Sequence, residues 1–93
     1  MKEKEIEHKL VQSVQAAGGI ATKLICPGCG GMPDRIVLFP EGRIAFVEVK
    51  AHGMKPRALQ LRRHGMLRRL GFKVYILDDT EQIGGMLREI QSS

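Results

Sequence analysis

An α/β fold of order αβββαβα, with a mixed four-stranded sheet flanked by helices, follows from three features of this 93-residue sequence. Helical periodicity over residues 3–17 gives way from residue 20 to strand-like, β-branched runs. The runs at 34–39 and 43–50 flank the short turn Pro40-Glu41-Gly42, the pattern of a β-hairpin. Strand, helix and strand then fill residues 43–77, and such a crossover is right-handed with its two strands parallel. The length predicts a single domain, 1–93, with one modest core, and a composition of 43% hydrophobic and 27% charged residues is ordinary for a globular chain.

Taken in order, Ile6, Leu10, Val14 and Ala17 fall on one stripe at about 100° per residue, with Val11 on its flank, and Gly18-Gly19 ends the helix. Glu3 and Glu7 lie on or beside that stripe, where an acid needs a partner. IATKLIC, 20–26, is the first strand and PGCGGMP a glycine-rich turn. DRIVLF and RIAFVEVK make the hairpin. After AHGMK, Pro56 suits a helix start, and Leu59, Met66, Leu67 and Leu70 supply the apolar face of a helix that ends near Gly71. FKVYIL, 72–77, is a near-continuous apolar run typical of a buried parallel strand. Asp78, Asp79 and Thr80 offer an N-cap for a last helix carrying Ile83, Met86, Leu87 and Ile90.

The net charge of +5 is unevenly spread: Lys50, Lys55, Arg57, Arg62, Arg63, Arg68, Arg69 and Lys73 follow one another without an intervening acid. Such a block suits a polyanion, and nucleic acid is the commonest one. The N-terminus MKEKEIEHK has no apolar leader, and no run approaches the roughly 18 apolar residues of a membrane span, so a cytoplasmic protein without a membrane partner is expected. Cys26 and Cys29 are too close to build a disulfide framework and supply only half of a zinc site; free thiols are expected. His8, His52 and His64 show no mutual ligand spacing and are expected at the surface, with His52, just after Lys50, able to touch substrate.

Chemistry concentrates in the hairpin. The period of two puts Ile44, Phe46, Glu48 and Lys50 on one face, with Glu48 and Lys50 roughly 6 to 7 Å apart. Asp34 starts the partner strand, so pairing around the turn brings it to the same end of the sheet as Glu48. Two carboxylates held together need a cation or a shared proton, and hard oxygen donors suit Mg²⁺ or Mn²⁺. The backbone carbonyl of Val49, between Glu48 and Lys50, offers a further oxygen, and Lys50 can hold an attacking water or offset charge on a phosphate.

Met32-Pro33-Asp34, then Phe46-Val47-Glu48-Val49-Lys50, then Gln60 on the following helix resemble, in order, the G-x-P-D, F-x-E-x-K and downstream Gln motifs of the VRR-NUC (virus-type replication and repair nuclease) domain of the PD-(D/E)xK nucleases. The resemblance spans roughly residues 3–88. It implies a restriction-endonuclease-like core and a metal-dependent endonuclease of DNA, with Asp34, Glu48 and the Val49 carbonyl as metal ligands, Lys50 as the catalytic lysine, Gln60 in support and Glu7 as the helix-borne acid that completes the metal shell. It also implies a phage setting and, as for Holliday junction resolvases, a homodimer acting on branched DNA, with no small-molecule cofactor. Lys55, Arg57, Arg62, Arg63 and His52 are the expected DNA contacts. The competing expectation is a non-catalytic nucleic-acid-binding module that uses the basic helix 56–70.

Overall fold

A computed structural model describes residues 1–92. Helix α1 (Glu3–Ala16) is followed by strands β1 (Ile20–Lys23), β2 (Arg35–Phe39) and β3 (Arg43–Val49), helix α2 (Ala58–Arg69), strand β4 (Lys73–Leu77) and helix α3 (Ile83–Gln91). The sheet order is β1-β2-β3-β4. β1, β2 and β3 pair antiparallel in succession, and β4 lies parallel to β3 with Glu48 opposite Ile76. This is the expected αβββαβα order, mixed sheet and parallel crossover. The hairpin turn runs over Pro40–Gly42, where Glu41 and Gly42 both adopt the left-handed, positive-φ conformation.

Alternation along β3 divides its side chains between two layers. Ala45, Val47 and Val49 enter the larger core, with Ile6, Leu10 and Val14 of α1 and Ile83, Met86, Leu87 and Ile90 of α3. Phe46 faces the other way, into a smaller cluster with Leu67 and Val74 beneath α2. Helices therefore cover both faces of the sheet. Ile6, Leu10 and Val14 are all fully buried, as their i, i+4, i+8 spacing requires.

The structure departs from expectation in four places. Along α2 the buried residues are Gln60, His64 and Leu67, whereas Leu59 is 39% and Leu70 67% exposed, so the inward stripe is largely polar and two of the expected core leucines face out. The reason lies across the layer: β3 presents Glu48 there, and a buried carboxyl draws polar partners. The helix begins at Ala58 because Arg57 is still extended, which leaves Pro56 just ahead of the cap. β4 lies at the edge of the sheet but is buried as expected, with Val74 in the α2-side cluster and Leu77 in the larger core, while Phe72, expected to open the strand, lies just before it and is 37% exposed. Finally, β1 stops at Lys23, and in the connection that follows Cys26 and Cys29 form a disulfide instead of remaining free thiols. A tight turn, with Cys29 N–H donating to the Cys26 carbonyl at 3.0 Å, brings their Cα atoms to 5.3 Å, inside the bridging range.

Candidate active site

Glu48, near the end of β3, is only 1% exposed. A carboxyl so placed must be held by other groups. Gln60 Nε2 donates to Glu48 Oε2 at 3.0 Å, and Gln60 Oε1 accepts the Arg57 N–H at 2.8 Å. The first turn of α2 thus engages the amide oxygen and turns the NH₂ toward Glu48, which sets the side chain's orientation. Lys50 Nζ lies 3.7 Å from the same Oε2, brought there by the strand period.

Asp34, immediately before β2, accepts the Val49 N–H through Oδ2 at 2.8 Å. That bond pins an acid from one strand to the end of its neighbour. Burial, and then the nearby Asp34 charge, raise the Glu48 carboxyl to about 7, with Lys50 pulling in the opposite direction. Asp34, Glu48, Lys50 and Gln60 therefore form one connected group. Glu48 Oε1, on the side away from Gln60, has no hydrogen-bond partner.

Glu7 is placed differently. Its Oε2 accepts from Arg35 Nε at 3.2 Å, and Arg35 also donates to the Ala21 carbonyl at 3.0 Å. The α1 acid is thus tied to the residue after Asp34. Among the described residues, no three His, Cys, Asp or Glu side chains gather at metal-ligand spacing. The Val49 side chain faces the larger core, so only its backbone borders the site. His52 is exposed with Nδ1 3.6 Å from Asp79 Oδ2.

Lys55, Arg57 and Arg62 are exposed, while Arg63 is half-buried and donates to the Gly30 carbonyl at 2.9 Å. Leu59, Arg62, Arg63, Met66 and Arg69 line an open groove of about 320 Å³ on α2. Two cations of the basic block serve the fold instead: Arg68 donates to the Val74 carbonyl and Lys73 to the Glu89 carbonyl.

No family model matches the chain. “Putative nuclease p44” of Acyrthosiphon pisum secondary endosymbiont phage 1 is 48% identical over 81 residues, 87% of this chain and 87% of its own length. A solved VRR_NUC domain superposes with a TM-score of 0.87 at 32% identity, over 95% of this chain and 96% of that one. The chain belongs to the VRR-NUC family of nucleases.

Within this VRR-NUC domain one buried polar residue was not anticipated. His64, expected at the surface, is fully buried, with Nε2 3.4 Å from Glu48 Oε1. Burial, and next the charge of Arg68, lower its pKa and so favour the neutral ring. The signal available in the sequence was its spacing: four residues after Gln60, it shares that residue's helical face. Arg35, the partner of Glu7, was likewise unassigned. No helix among the described residues of this VRR-NUC domain is long and apolar enough to cross a membrane.

Proposed function

We propose that this nuclease is a Mg²⁺- or Mn²⁺-dependent endonuclease that hydrolyses phosphodiester bonds in branched DNA as a homodimer. The observation that carries the metal reading is the state of Glu48: a buried carboxyl, raised to about 7 beside Asp34, with one oxygen lacking a hydrogen-bond partner. Such a donor set is short of positive charge and suits a hard cation.

In this reading Asp34, Glu48 and the Val49 carbonyl hold the cation, and Glu7 joins them on release from Arg35. The cation, when bound, supplies charge to the phosphate oxygens and makes a water more acidic. Lys50 holds the attacking water and offsets negative charge that builds on the phosphate. Gln60 keeps Glu48 from rotating, and the Val49 N–H does the same for Asp34. Lys55, Arg57, Arg62, Arg63 and His52 contact the backbone of the DNA, which is recognised by shape rather than by sequence. A two-fold dimer presents two such sites to the two strands of a junction.

Cleavage of a four-way junction, a flap and a linear duplex of matched sequence, with Mg²⁺, Mn²⁺ or EDTA, tests this reading together with a gel-filtration mass. We expect metal-dependent nicking, fastest on branched DNA, by a dimer. Equal rates on all three substrates, or a monomeric active species, would refute the corresponding part.

A further inference from the structure

His64 has no part in the chemistry described above, yet its position is costly. An imidazole left without hydrogen bonds in a fold interior is destabilising, and neither ring nitrogen has a partner at hydrogen-bond geometry. The next inward position on the same helix, Leu67, shows that an apolar side chain fits this face. What distinguishes the His64 position is what lies opposite it: Nε2 stands 3.4 Å from Glu48 Oε1, itself unpartnered. Gln60, one turn earlier, donates to the other oxygen, Oε2, at 3.0 Å. Two successive inward positions of α2 thus address the two oxygens of one carboxylate.

We propose that His64 is a positioning residue whose neutral Nε2–H donates to Glu48 Oε1 and, with Gln60 on Oε2, fixes the plane in which that carboxylate meets the metal. The inference rests on the divalent-cation reading of the site. Side chains that orient metal ligands typically change metal affinity by about 10–100-fold when removed. A neutral donor suits this place better than a lysine or arginine, because it orients the carboxylate without cancelling the charge that attracts the cation. At 3.4 Å the pair stands just beyond the length of an ordinary N–H···O bond, about 2.7–3.2 Å.

The test uses the full chain with His64→Leu, His64→Gln and Glu48→Gln. Mn²⁺ affinity is measured by titration calorimetry, unfolding by urea in EDTA, and the imidazole by ¹⁵N NMR. The Nε2–H tautomer is expected, with a proton signal that moves in Glu48→Gln. His64→Leu should fold as stably as the wild type in EDTA but bind Mn²⁺ about 10–100-fold more weakly, and His64→Gln, which keeps a donor, should recover most of that loss. An Nδ1–H tautomer, a signal indifferent to Glu48→Gln, or equal Mn²⁺ affinity in His64→Leu and wild type would overturn the proposal. If His64→Leu does not fold, the His64→Gln affinity and the wild-type spectrum decide in the same way. Should the wild type bind no Mn²⁺ at all, the cation reading fails and with it the metal-orienting role, while the spectrum still separates that failure from a missing His64–Glu48 hydrogen bond.

Discussion

Glu48 is the residue on which the site depends. With its folded carboxyl raised to about 7 from the ordinary 4.5, the native state binds a proton that the unfolded chain has already released across that interval. Unfolding free energy must therefore fall as pH rises from about 4.5 to about 7, by up to about 1.4 kcal/mol per pH unit. His64, lowered from 6.5, contributes the opposite slope near its own range, so the wild type is best compared with Glu48→Gln. Urea unfolding in EDTA should show stability declining with pH in the wild type relative to Glu48→Gln, and Mn²⁺ above neutrality should restore it. Asp34, Glu48 and Lys50 could be placed together from the sequence because strand alternation and hairpin pairing are geometric rules. His64 was only half legible: its spacing from Gln60 marks a shared helical face, but its burial depends on a polar group on a different element, and the same dependence hides the pairing of Arg35 with Glu7.

At the scale of elements, α2 carries two distinct jobs on two faces. Its inward side serves Glu48, and its outer side presents Arg62 and Arg69 beside the open groove. Arg62→Ala with Lys55→Ala, just ahead of the helix, should weaken DNA binding in EDTA across all sequences and reduce the log–log salt slope by about 2; fluorescence anisotropy over a salt series measures it. Arg63 is less suitable for that test, since it also anchors Gly30. That anchor belongs to the connection into Asp34, where Gly31 has a φ of +82° and a Cβ would meet Leu59 Cγ at 2.8 Å and its carbonyl oxygen at 2.9 Å. Gly31→Ala should cost about 1–3 kcal/mol by urea unfolding and impair the site through displacement of Asp34. The helix pattern placed Leu67 correctly but misassigned Leu59 and Leu70 of that helix and its end, because a periodicity shows which residues share a face but not which face the sheet will accept. The disulfide was hidden for a similar reason: spacing does not reveal that a turn closes on itself.

For the whole molecule, the fold and the site have separate supports. The larger core of α1, α3 and one sheet face contains none of the proposed catalytic side chains, whereas the α2 layer is where polar groups are concentrated. Leu10→Ala, at a fully buried position, should therefore lower stability by about 2–5 kcal/mol in thermal unfolding while leaving the metal affinity of the folded fraction near that of the wild type. The order of elements and the mixed sheet were legible because each strand and helix carries its own period and the crossover rule fixes the last pairing. In the proposed mechanism a metal held by Asp34 and Glu48, with Lys50 beside them, performs the cleavage. The decisive experiment is single-turnover cutting of a four-way junction by the wild type and by Lys50→Ala, in Mn²⁺ and in EDTA. Cutting should occur only with Mn²⁺, fall by about 100-fold or more in Lys50→Ala, and leave junction binding unchanged; cutting in EDTA, or a Lys50→Ala rate equal to wild type, would rule the mechanism out.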